Sequence, residues 1–120
     1  ADESMRTHLD IPLLSPYVNG VNIKMEKVGG YRAALRAITD AKSAGLKVWL
    51  GCMVGSNLNS TQTAVLAPLA DGGSDLDGSL LVSEESKVFT GGFRYGSGGS
   101  VELDRTIPGM GLKLKSHVSF

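Results

Sequence analysis

Cysteine is nearly absent. Cys52 is the only one in 120 residues, so neither an internal disulfide framework nor a multi-cysteine metal knot can form. An excess of one charge is also missing. Twelve Lys and Arg balance twelve Asp and Glu, for a formal net charge of zero and a pI near 7.0. That excludes the broad basic footprint of a nucleic-acid binder or a membrane-surface protein. No apolar run reaches the roughly 18–20 residues that span a bilayer, and no signal peptide opens the chain. A cytoplasmic location is therefore expected, although removal of an organellar transit peptide leaves the same trace. The chain begins at Ala1 and not at Met, which predicts that processing or truncation removed an earlier segment. What is present is a globular composition, 42% hydrophobic and 20% charged, sufficient for one domain at most. Glycine is the excess, 16 residues against a usual share of about 7%.

The periodicity alternates between two types. Gly20 to Lys24 is a short β-branched run and predicts a strand. Lys27 to Gly30 reads as a loop. From Tyr31 the apolar residues Tyr31, Ala34, Leu35, Ile38, Ala41 and Ala44 recur at three- and four-residue spacing, which predicts an amphipathic helix closed by Gly45. Leu46 to Met53 reads as a second strand, apolar on both faces around Val48, Trp49 and Leu50, as in parallel sheets flanked by helices. Leu58 to Leu69 predicts a second helix with Asn57 as cap and Pro68 disturbing the last turn. Ser74 to Asp77 is the third strand. Strand, helix, strand, helix, strand predicts βαβαβ units. Beyond Gly78, short antiparallel strands and turns are expected to wrap over this core.

Polar groups collect at the ends of the predicted strands: Asp2, Lys24, Cys52, Asp75 and Asp77. Ligand sites of α/β barrels form at that end. Period two puts Asn22 and Lys24 on one face, and Asp75 and Asp77 likewise. Adjacent carboxylates repel, so they persist best with a cation between them: a metal, a lysine or a substrate ammonium. Glu84 and Glu85 read as an exposed pair without a partner. His8 and His117 lack a ligand spacing and read as surface residues. Cys52 beside Met53 reads as a core or pocket-wall residue with nothing to make it a thiolate. The run Gly91 to Gly99 lacks the Lys-Ser/Thr of a phosphate loop and does not join a strand to a helix.

The motifs Ala-Asp-Glu-Ser at 1–4, Val-Asn-Ile-Lys-x-x-Lys-x-Gly-Gly at 21–30, Gly-Cys-Met at 51–53 and Asp-Leu-Asp-Gly at 75–78, followed by Phe89 to Phe93 and Pro108 to Gly111, resemble the C-terminal part of an enolase-superfamily dipeptide epimerase of the L-Ala-D/L-Glu type. The resemblance implies an α/β fold, about the last three βα units of a partial (β/α) TIM-type barrel over 1–78. Residues 79–120 would then be a closing segment packed back on the barrel and capping domain. It further implies that Asp2 ligates Mg²⁺, that Lys24 is one of two acid/base lysines, and that Asp75 and Asp77 hold the dipeptide's α-ammonium, with Cys52 and Met53 bordering the pocket. The implied reaction removes and returns a proton α to a carboxylate through an enediolate that Mg²⁺ stabilises. Lys24 can act as a base only if burial, metal and neighbouring cations lower its pKa from about 10.4. Lys27, in the following loop, reads as structural.

A full barrel takes about 250 residues. The second lysine, the two other metal-binding carboxylates and most of the capping domain are not in these 120 residues. The expected partners are therefore the dipeptide and the rest of the barrel with its cap, in the same or another chain. The chain alone is expected to be inactive and unstable, with open strand edges. Two alternatives stand beside this reading: a degenerate barrel remnant serving as a structural or assembly subunit, or another member of the muconate-lactonising subgroup, such as an acyl-amino-acid racemase or cycloisomerase.

Overall fold

A computed structural model describes residues 1–104 and 106–116; the surface reading of His117 lies outside the described residues. A 3₁₀ turn, His8–Asp10, leads into the single helical turn α1 (Ile11–Leu14). Strand β1 (Gly20–Lys24) follows, then a one-turn helix α2 (Met25–Val28), the main helix α3 (Tyr31–Ser43) and strand β2 (Lys47–Gly51). Helix α4 (Asn57–Leu66) and strand β3 (Ser74–Asp75) complete a three-stranded parallel sheet of order β1-β2-β3. The protein is thus mixed α/β, and β1 matches the expected strand residue for residue. Beyond β3 come β4 (Phe89–Gly91), β5 (Arg94–Tyr95), β6 (Val101–Glu102) and β7 (Leu112–Leu114), paired antiparallel as β4-β7 and β5-β6. Among the described residues no helix is long and apolar enough to cross a membrane.

One sheet face is buried. Val21, Ile23, Val48 and Leu50 meet Ala34, Ala37, Ile38 and Ala41 of α3, with Met5 and Ile11 in the same cluster. The other face is not covered, which corrects the expectation of β2 as apolar on both sides. Lys47 and Trp49 are exposed, Trp49 at 43%; Trp49 instead packs its ring over Gly72 and Gly73. The strand is also shorter than Leu46 to Met53.

Further differences follow from local chemistry. Residues 27–28 are not loop: Met25 and Val28 are buried, and that apolar pair winds α2 onto the core before Gly29, in the left-handed conformation, ends it. Ser56, not Asn57, is the extended residue before α4; Asn57 lies inside the helix and its side chain donates to the Gly91 carbonyl at 3.0 Å. Pro68 forces the segment Ala67–Leu69 into a 3₁₀ turn, as its position predicts. Strand β3 ends at Asp75, because Leu76 leaves the extended region to bury its side chain with Ala64 and Phe93. Glu84 does have partners, an ion pair with Lys87 and a hydrogen bond from Lys115 Nζ to its carbonyl at 2.7 Å. Tyr31 at the start of α3 and Ala44 just past its end are exposed, while Ala37 is fully buried. Gly45 has the expected positive φ of 75°.

Candidate functional site

The carboxyl ends of the parallel strands gather most of the residues singled out in the sequence. Ala1 is bonded to β1 as a neighbouring parallel strand would be: its amino group donates to Gly20 O and its carbonyl accepts from Asn22 N, both at 2.7 Å. Asp2 therefore stands beside the end of β1. Its Oδ2 lies 3.1 Å from Lys24 Nζ and accepts from Asn22 Nδ2 at 3.1 Å. Lys27 Nζ donates to both Oδ1 and the main-chain carbonyl of Asp2 at 2.8 Å, so Lys27 clamps this segment, in keeping with its structural reading. Glu3, mostly exposed, extends the acidic side to 4.0 Å from Lys24 and 3.8 Å from Lys27.

This arrangement sets the charges. Burial pushes the Asp2 carboxyl up, but the hydrogen bonds and charges of Lys27 and Lys24 outweigh it and hold the pKa below the usual value. Burial likewise pulls Lys24 down, yet the hydrogen bond and charge of Asp2, with Glu3 and Asp75 adding, raise its pKa. The condition stated for a lysine base, a lowered pKa, is not met here: Asp2 keeps Lys24 an ammonium.

On the far side of the sheet, Asp75 and Asp77 do come together, though not by strand alternation. The chain turns at Leu76 into the 3₁₀ segment Asp77–Leu81, and the two carboxyls still share a hydrogen bond. Burial first, then the hydrogen bond and charge of Asp77, push the Asp75 pKa up, while the Asp77 backbone N–H and Lys24 oppose this. Asp75 thus gives up its proton less readily than an ordinary carboxyl, beside a second acid and where an ammonium could sit.

Cys52 and Met53 form the turn after β2. Cys52 N donates to Asp75 O at 3.1 Å and Cys52 Sγ accepts from Ser60 Oγ at 3.7 Å. Burial pushes the thiol pKa up despite donation from Gly78 and Ser60. Met53, 43% exposed, is tied through its N–H to Glu26 Oε1 at 3.2 Å. Glu26 escaped the sequence reading; its only signal was a charge two residues past Lys24. A Cβ at Gly78 would lie 2.3 Å from Met53 O and 2.9 Å from Cys52 Sγ, so the Cys52–Met53 and Asp77–Gly78 turns pack directly on one another.

A hollow of about 640 Å³ lies on the open sheet face, lined by Asn22, Trp49, Lys47 and Asp71 among others. Of the proposed site residues it touches only Asp2; Lys24 and the acid pair border it nowhere. His8 is at the surface as expected, 3.1 Å from Asp40. Among the described residues no group of three His, Cys, Asp or Glu is placed to hold a metal. Asp2 offers one carboxylate, already shared by two ammonium groups. Selective Mg²⁺ sites need several oxygens, so these residues do not by themselves fit the ion.

No family model matches the chain. An enolase superfamily member of Dictyostelium discoideum is 42% identical over 117 residues, 96% of this chain and 27% of that protein. An L-Ala-D/L-amino acid epimerase of Maribacter is 40% identical over 114 residues, 95% of this chain and 32% of the epimerase. The structure superposes on a dipeptide epimerase of Methylococcus capsulatus, solved with Mg and the dipeptide L-Arg-D-Lys, with TM-score 0.83 and 32% identity, covering 93% of this chain and 32% of that one. The chain thus spans about a third of the length of the relatives it matches.

Proposed function

Because the chain belongs to the enolase superfamily and its homologues are dipeptide epimerases, we propose that it supplies the C-terminal share of a Mg²⁺-dependent dipeptide epimerase active site. The observation that carries this reading is the convergence of Lys24, Asp2 and the Asp75/Asp77 pair at one end of a parallel sheet. Lys24 transfers a proton on one face of the substrate α-carbon. Held by Asp2 it is in the donating form; to abstract a proton it must first lose that contact. Asp75 and Asp77 bind the α-ammonium, whose positive charge offsets their mutual repulsion. Cys52 and Met53 wall the pocket. Asp2 gives one oxygen to a Mg²⁺ ion whose other ligands lie outside this chain. When bound, that ion stabilises negative charge developing on the substrate carboxylate.

The second lysine, the remaining ligands and the capping domain come from the rest of the barrel, which in this reading packs over the open face that carries Trp49. The 120 residues alone are then inactive. The test joins residues 1–120, in place of the matching third, to the remainder of the Maribacter epimerase. The joined enzyme is expected to epimerise dipeptides, and Lys24→Ala to lower turnover by about 10²–10⁴-fold with dipeptide affinity kept. An inactive joined enzyme, or full turnover without Lys24, refutes the reading.

A further inference from the structure

Asp75 and Asp77 meet because Leu76 between them leaves the strand, at φ −119° and ψ 20°. The spacing of the two carboxyls therefore depends on how firmly that one residue is held. It is held at both ends by one short stretch of the closing segment. Its side chain, 4% exposed, is buried with Phe93. Its carbonyl accepts a hydrogen bond of 2.7 Å from the Tyr95 hydroxyl, 19 positions on. A carbonyl has no proton to give, so Tyr95 is the donor there and its single proton is engaged. The 3.1 Å contact between Tyr95 Oη and Ser79 Oγ is then donated by Ser79. Ser79 is buried in the 3₁₀ segment that begins at Asp77, so the pair of hydroxyls spans the turn. Tyr95 has its own footing. Its ring stands edge to face on Phe93, with centroids 4.8 Å apart and planes at 79°. Phe93 N in turn donates to Thr61 Oγ1 of α4, and Tyr95 pairs with Val101 of β6. A line of contacts thus runs from α4 through Phe93 and Tyr95 to the residue between the two acids.

We propose that Tyr95 is a positioning residue: with Ser79 it fixes the Asp75-Leu76-Asp77 turn, and so the spacing of the acid pair, without touching the ligand. This rests on the epimerase reading above and adds two residues which that reading does not use. It also gives the closing segment a part in ligand recognition, exerted through the main chain of Leu76.

The joined enzyme provides the test, with L-Ala-D-Glu as substrate and propanoyl-D-Glu, the same molecule without its amino group, as competing ligand. Tyr95→Phe deletes one hydroxyl and keeps the ring on Phe93. It is expected to raise KM for L-Ala-D-Glu roughly tenfold, while inhibition by propanoyl-D-Glu stays at the parent's level. Ser79→Ala is expected to raise KM in the same direction by a smaller factor. A parent-like KM in Tyr95→Phe overturns the proposal. So does an equal weakening of both ligands, which would make Tyr95 an anchor of the closing segment and nothing more. Should Tyr95→Phe fold poorly, Ser79→Ala decides, and a parent-like KM there overturns the proposal as well. In each case an active parent leaves the epimerase reading standing, whereas an inactive parent removes both.

Discussion

The parallel-sheet region up to Asp77 and the tail that follows it are held together by different forces. In the first, fourteen apolar side chains from strands and helices form one buried cluster. In the second, the only buried apolar cluster among the described residues is Ala64, Leu76 and Phe93, of which a single residue belongs to the tail. The tail is fastened instead by polar ties to the first region: Phe93 N to Thr61 Oγ1 at 3.2 Å, Tyr95 OH to Leu76 O at 2.7 Å and Asn57 Nδ2 to Gly91 O at 3.0 Å. Burial of apolar area stabilises in proportion to area and is indifferent to direction, whereas hydrogen bonds contribute about 1 kcal/mol each and only when aligned. The first region is therefore held by its own core, while the tail takes its shape from what it is tied to.

The contrast can be broken most forcefully in the core. Leu50 is 1% exposed, and Leu50→Ala is expected to cost about 2–5 kcal/mol in urea unfolding. Leu114→Ala, in a residue 41% exposed, should cost within about 0.5 kcal/mol; equal losses would erase the distinction. Next in size is the tie between regions. Thr61→Val removes the acceptor of the buried Phe93 N–H and is expected to cost about 1–3 kcal/mol, with faster hydrogen exchange confined to the tail; uniform acceleration would mean that the regions unfold as one.

A pH effect sharpens the comparison at the site. The folded-state pKa of Asp75 is raised, so its protonated form favours the fold: that contribution is present below the ordinary carboxylate value and is lost as pH rises through the folded value. Asp77→Asn should lower the Asp75 midpoint, followed by carboxyl ¹³C shifts; an unmoved midpoint would show that burial alone sets it. The smallest effect belongs to the tail's surface. Lys87→Ala breaks the pair with Glu84, which is 79% exposed, and should leave the urea midpoint essentially unchanged. A loss in the urea midpoint would reveal a second anchor for the tail.

Much of the first region was legible because local and tertiary demands agree there. Strand β1 is bounded by Asn19-Gly20 and by the charge at Lys24, and α3 by Gly30 and Gly45. Trp49 was misread because an apolar residue at a strand's centre signals only its own preference, and the sequence does not say whether a second layer exists to cover it. The meeting of Asp75 with Asp77 was foreseen for the wrong reason: a turn at Leu76 accomplishes what alternation was expected to do. The Asp2–Lys27 clamp spans 25 positions and the partnership of Glu84 with Lys115 spans 31, both beyond any periodicity. Motif order supplied the functional reading; the ionisation state of Lys24, fixed by distances to Asp2, had no counterpart in the sequence.

The contact across Gly78 has a consequence for how this rim could diversify. With the Met53 carbonyl and the Cys52 sulfur pressed against a residue that has no room for a methyl group, neither turn can change length or bulk without displacing the other. Alterations of ligand preference at this edge would then arise as paired, mutually dependent changes in the two turns, and a single exchange transplanted from a relative would tend to fail unless its counterpart travelled with it.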